Sequence, residues 1–214
     1  MSSTSDFSLI LTKIGKIHNT SSCITEDVIM RCSGTINQML LDRGFDEITG
    51  CSTFNQITDC MQNCQMVFQG IDSESGAITD VFFHNEERVG VKQMRNWCEE
   101  SIANVIIIVS LDGPTSFTRK ETDNYDRQVQ FFTFKELCVN ITRHVLVPKH
   151  ELMNEEEKAK LPFLKNPNDL PKLYSNDKVS LYYNYKVGDV IRITRTIAYS
   201  EPVVYYRLVT PPAV

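Results

Sequence analysis

Two of the chain's four histidines, His144 and His150, stand six residues apart in VNITRHVLVPKHELMNEEE. On a strand, that spacing puts both side chains on one face, the arrangement of a metal pair or an acid–base pair. Pro148 breaks the geometry between them. Glu151 is adjacent, but no cysteine or carboxylate is spaced to complete a ligand set, so both read as hydrogen-bonded structural histidines. The seven cysteines are odd in number and irregularly spaced, and the CMQNC of Cys60 and Cys64 has no second pair for zinc. They read as free thiols of a reducing compartment. Cys98 lies beside two glutamates in NWCEES, which raise rather than lower a thiol pKa and argue against a nucleophile. Asp80, with Glu86 and Glu87 downstream, is the best case for a two-metal nuclease. The acidic residue two before a lysine is missing, since Arg88 follows Glu86 at that offset and Val89 follows Glu87. No phosphate-cradling glycine motif and no G-x-S-x-G occurs. The reading is therefore of a protein with no catalytic residues, no metal site and no cofactor.

Charge narrows the class further. From Arg143 onward there are 11 basic against 8 acidic residues, a net +3; the remaining 11 against 19 leave the first part at −8. A −8 segment is not an autonomous nucleic-acid binder, because phosphate neutralisation needs clustered Lys and Arg. No apolar run approaches a membrane span, and the N-terminus lacks a signal-peptide pattern, which predicts a soluble, non-exported protein with no membrane partner.

The elements that must hold any site follow from periodicity. TEDVIMRCSGTINQMLLDRGF predicts a helix, with Thr25 as N-cap, Val28, Ile29, Cys32, Ile36, Met39 and Leu40 on one face, and Gly44 as the stop. FNQITDCMQNCQMVF is a weaker helix. ITDVFFH is a strand, VGVKQMRNW a strand-to-helix step, and NVIIIVSL a buried central strand. DGPTSFTRK reads as a turn-rich loop, QVQFFTF as a strand and KELC as a short helix. Alternating strands and helices predict an α/β layer with a partly parallel sheet. Further on, TRHVLVP predicts a strand ended by Pro148. Asn154 caps a helix with three glutamates in its first turn, and Asn176 or Asp177 caps another. VGDVIRITRT and PVVYYRLV are two β runs. The fold class is α+β, with an α/β N-terminal domain over 1–142 and a small α+β C-terminal domain over 143–214.

Four ordered stretches resemble one family, the fifth subunit shared by eukaryotic nuclear RNA polymerases I, II and III. They are MLLDRGF (39–45), VGVKQMRNW (89–97), VNITRHVLVPKHELMNEEEK (139–158) and LPKLYSNDKVSLYYNYKVGDVIRITRT with VYYRLV after it. The C-terminal part also resembles the H-type subunit of archaeal RNA polymerases. The resemblance implies a non-catalytic structural subunit. An N-terminal jaw domain would lie beside downstream duplex DNA, and a C-terminal assembly domain would dock on the largest subunit. It carries the DNA-contact role to the stretch 113–120, here Pro114, Thr115, Ser116, Arg119 and Lys120, whose hydroxyls and cations suit phosphates. For the subunit interface, Tyr182, Tyr183, Ile191, Ile193, Arg195, Tyr206 and Arg207 stand out, since Tyr and Arg dominate interface hot spots. Implied partners are the largest and neighbouring polymerase subunits, plus downstream DNA held weakly and only in the assembled enzyme. The implied location is the nucleus, or cytoplasm or virion for a viral member. The chain departs from the family where D-P becomes Asp177-Lys178, a glycine becomes Asn184, and the charged 195–202 loop loses its pattern. The alternative is a free-standing protein-interaction adaptor in transcription.

Overall fold

The computed structural model describes residues 24–161, 167–196 and 201–212. The chain divides into two compact units, one ending at Val139 and the other beginning at Asn140.

The first unit opens with α1 (Glu26–Asp42). Thr25 caps it by accepting the Val28 amide, and Glu26 and Asp27 sit where the helix dipole favours acid. Its apolar stripe of Ile29, Cys32, Ile36, Met39 and Leu40 is buried. Gly44, at φ +93°, takes the left-handed conformation that ends the helix. Then come β1 (Glu47–Gly50), α2 (Phe54–Gln62), β2 (Met66–Ile71), β3 (Ile78–Phe83), α3 (Val91–Glu100), β4 (Val105–Ser110), α4 (Ser116–Glu121), β5 (Gln128–Thr133) and α5 (Phe134–Leu137).

Strand order is β1-β2-β3-β4-β5. The first three strands pair antiparallel, whereas β3, β4 and β5 pair parallel. β4 carries the longest apolar run because it is central and covered on both faces, so alternation is not required of it. Ile106 and Ile108 join Phe82, Val89, Met94, Trp97 and Cys98 in one cluster under α3. The Trp97 indole stacks on Phe82 at 5.2 Å, and its Nε1 donates to the Cys64 carbonyl at 2.8 Å, which removes the cost of burying that N–H. α1 packs beside α5 and α2.

The second unit holds β6 (Lys149–Leu152), α6 (Glu155–Ala159), β7 (Lys172–Tyr174), α7 (Lys178–Tyr183), β8 (Val190–Arg195) and β9 (Val203–Thr210). Its sheet runs β6-β8-β9-β7, with β8 antiparallel to both β6 and β9, and β7 parallel to β9. Asn154 and Glu157 close a capping box on α6, and Asp177 caps α7. Among the described residues no helix is long and apolar enough to cross a membrane.

Three sequence expectations are corrected. FNQITDCMQNCQMVF is helical only over Phe54–Gln62, and Met66 to Phe68 at its end belong to β2. TRHVLVP is not a strand. Ile141–Arg143 form a 3₁₀ turn, and the strand begins at Lys149, after Pro148 rather than before it. DGPTSFTRK is a loop only as far as Thr115, because the residues after it are α4.

Candidate nucleic-acid and subunit interfaces

The predicted DNA-contact stretch leaves the C-terminal end of β4. Gly113, at φ +77°, turns the chain, and its amide donates to Ser110 Oγ at 3.0 Å. Pro114 then runs parallel beside Val89. The Val89 amide donates to Gly113 O and the Thr115 amide to Val89 O, at 3.0 and 3.2 Å. Thr115 caps α4 by accepting the Thr118 amide at 3.2 Å.

That cap changes what Thr115 can do. The buried Thr118 hydroxyl donates its one proton to Val89 O at 2.8 Å. The 2.8 Å contact between the two hydroxyls must therefore take its proton from Thr115. With its proton and an acceptor position both used inside the chain, the Thr115 hydroxyl has none left to donate to a phosphate. Pro114 sets the turn. Ser116, Arg119 and Lys120 are the exposed members of the set, so they are the ones able to meet a ligand. Sequence reasoning passes over Phe117, which is 79% exposed between them. The signal for it is an aromatic residue set between Ser116 and the cations Arg119 and Lys120.

The nuclease arrangement does not form. Asp80 is buried, with one carboxylate oxygen accepting from Gln69 Nε2 at 2.8 Å and the other from Ser101 Oγ at 2.6 Å. Among the described residues no three His, Cys, Asp or Glu side chains gather to hold a metal. The described cysteines are free thiols, and burial pushes the Cys51 thiol up to about 11. Cys23 lies outside the described residues.

The second unit presents an open groove of about 750 Å³. Ile193, Arg195, Tyr206 and Arg207 all line it, joined by His150, Asp177 and Tyr205 and by apolar walls from Leu173 and Val179. The strand register explains part of the convergence. His150 pairs with Ile193 and Ile193 with Tyr205, so these three side chains stand on one face across three strands. Ile193 is 7% exposed and belongs to the cluster with Leu173, Tyr185, Ile191 and Val209. Arg207 Nη1 donates to the Lys172 carbonyl at 3.1 Å.

Three of the predicted interface residues do not line this groove. Ile191 is fully buried, and Tyr182 is 2% exposed with its hydroxyl accepting from Asn140 Nδ2 at 2.9 Å. Both are core. Tyr183 is half-buried and stacks on Tyr185 at 5.3 Å. The two histidines are satisfied locally. His150 Nδ1 lies 2.7 Å from the Pro148 carbonyl, and His144 Nδ1 accepts the Leu146 amide at 3.2 Å. Burial lowers the His150 pKa, so the ring is neutral near pH 7 and Nδ1–H is the donor to Pro148.

This groove-bearing unit is the part of the chain that comparison recognises directly. The family described as RNA polymerase Rpb5, C-terminal domain, matches residues 139–209. The chain is also 34% identical over 137 residues to a Dictyostelium discoideum protein named as subunit rpabc1 of DNA-directed RNA polymerases I, II and III. That match covers 60% of this chain and 70% of the relative. The chain belongs to the RNA polymerase Rpb5 family. As a member it is a structural subunit of a DNA-directed RNA polymerase, the function its four motifs predict. A Caenorhabditis elegans RPABC1 is 32% identical over 136 residues, 60% of this chain and 64% of that one. Subunit 5B of Arabidopsis thaliana polymerases IV and V is 33% identical over 113 residues, 52% of this chain and 51% of that one.

Within this Rpb5-family unit, sequence reasoning also misses Val145 and Leu146, which are 97% and 81% exposed on a short turn. Their mark in the sequence is the pair of aliphatics before Pro148 with no partner strand to receive them. The strand-like composition of the stretch hides them.

Proposed function

We propose that this Rpb5-family chain is a non-catalytic subunit of a nuclear multisubunit RNA polymerase. Its C-terminal unit anchors it to the largest subunit, and its N-terminal unit lays Ser116, Arg119 and Lys120 against downstream duplex DNA. The observation that carries the reading is the groove. Three of the residues singled out for the interface, Ile193, Arg195 and Arg207, share one face of the sheet at one concave surface inside the family match, while Tyr206 alternates to the other face and packs with Met153, Val190 and Leu208. An apolar floor ringed by tyrosine and arginine has the composition of a protein-binding hot spot. The relatives named as subunits of polymerases I, II and III support assembly with neighbouring polymerase subunits and, with it, a nuclear location. Asp80, with both oxygens held by Gln69 and Ser101, supports the absence of hydrolytic chemistry.

Affinity purification of the tagged native chain tests the anchor. The largest polymerase subunit is expected to dominate the co-purified material. An Arg207→Ala chain, still folded, is expected to recover less of it, because truncating a hot-spot arginine costs about 2 kcal/mol or more of binding. Recovery of partners without any polymerase subunit identifies the chain as a free-standing adaptor instead.

A further inference from the structure

The segment that offers cations to DNA is electrically neutral by itself. From Asp112 to Glu121 it carries two carboxylates, Asp112 and Glu121, and two cations, Arg119 and Lys120. A phosphate approaching it meets as much negative as positive charge, which removes the electrostatic gain of contact.

Two arginines from earlier in the chain alter that balance. Arg88 directs Nε and Nη2 at Asp112 Oδ2, at 2.8 and 2.6 Å. Arg95, on α3, directs Nε and Nη2 at Glu121 Oε1, at 2.9 and 2.5 Å. Each carboxylate bracketing the cations is thus covered by a guanidinium. Arg119 and Lys120 are exposed and form no ion pair among the described residues. The same earlier segment also grips the loop through its backbone. The Asp112 amide donates to Glu87 O at 2.8 Å, and Val89 bonds Gly113 and Thr115 on either side of Pro114.

We infer that Arg88 and Arg95 are positioning residues for the DNA contact, neutralising Asp112 and Glu121 and holding the loop that leads into α4 and the last residue of α4, so that the segment shows phosphates a net charge of +2. The inference rests on the reading of α4 as the DNA-facing element. Exposed ion pairs add little to folding stability, so what they set here is charge and placement. Glu86 and Glu87, in the same strap as Arg88, keep the patch modest, in line with a contact that acts only when something else holds the protein against DNA.

The test uses polymerase assembled with the full chain and engaged on duplex DNA whose downstream backbone carries a photo-reactive group. The readout is the yield of adduct to this subunit and its dependence on salt. Arg119→Ala with Lys120→Ala tests the underlying reading, and Arg88→Gln with Arg95→Gln tests the inference. Both doubles are expected to lower the yield about threefold or more, with the salt slope falling by about one for each phosphate no longer neutralised. Arg88→Asp alone is expected to lower the yield, and adding Asp112→Arg, which restores pin and charge together, to return it close to wild type. Amide exchange in α4 is expected to quicken in the Arg88→Gln, Arg95→Gln chain while that of β4 stays unchanged, which separates loss of the pins from loss of fold. If the Arg119, Lys120 double lowers the yield and the Arg88, Arg95 double does not, the inference fails and the reading stands. If neither double moves it, α4 does not meet DNA and both fall.

Discussion

Single residues here are legible when their partners are local and illegible when they are not. Thr25 and Asn154 are readable as helix caps, and Asp177 as one of two candidates beside Asn176, because a cap needs only its own next three residues. Thr115 is readable as a hydroxyl but not as a hydroxyl already committed, since that depends on Thr118 and on the carbonyl of Val89, 26 positions earlier. Thr115→Ala is expected to cost about 1 kcal/mol in urea unfolding and Thr115→Ser close to nothing, because serine keeps the cap. Asn184 makes a parallel case. It stands where the family pattern has glycine, and its φ of +59° is left-handed, a region asparagine tolerates and other side chains resist. Asn184→Ala is expected to destabilise the chain by roughly 1 kcal/mol, with Asn184→Gly near neutral, as read from denaturant midpoints.

At the scale of elements, helices and central strands come through because periodicity reports burial directly. β4 is the clear example: an unbroken apolar run for a strand parallel to both neighbours and covered on both faces. TRHVLVP misleads for the opposite reason. Its aliphatics suit a strand, but strand formation needs a partner, and β8 offers its register to Lys149–Leu152 instead. The Val147 amide turns back onto the His144 carbonyl at 2.9 Å, closing a turn. The same limit hides α4, six residues too short to show a period.

One network joins β6, α6 and β8. Arg192 on β8 pairs with Glu157 at 2.9 Å and with Glu151 at 3.5 Å. The Asn154 amide and then Arg192 hold the Glu157 carboxyl below its ordinary value, and Lys149 and then Arg192 do the same for Glu151. Carboxyls lowered in the folded state bind fewer protons there than when unfolded, so stability is present above the unfolded value near 4.5 and is lost as pH falls through the folded values. The urea midpoint is therefore expected to begin dropping as pH falls towards 4.5 and to go on dropping below it, and Glu157→Gln is expected to flatten that drop. An identical slope in the variant would remove Glu157 from the cause.

For the whole molecule, the division of charge matters more than any motif. The stretch before Arg143 carries −8 and the stretch from it +3, yet the residues proposed to face DNA belong to the negative part. Long-range attraction therefore cannot deliver this protein to nucleic acid, and DNA would be repelled by most of the surface that carries α4. The local patch holds few cations, and counterion release scales with the phosphates neutralised, so two or three contacts yield little affinity at physiological salt. Affinity has to come from docking elsewhere, the role proposed for the groove around Ile193 and Arg207. In a gel-shift titration at about 0.15 M salt, the isolated chain is expected to leave duplex DNA unshifted at micromolar concentrations, where non-specific basic binders already bind. Lowering the salt to about 0.05 M is expected to produce at most a weak shift, and Arg119→Ala with Lys120→Ala to abolish it. Sub-micromolar binding by the free chain at the higher salt would overturn the anchored-contact picture, because it would require a cationic surface that a −8 segment does not supply.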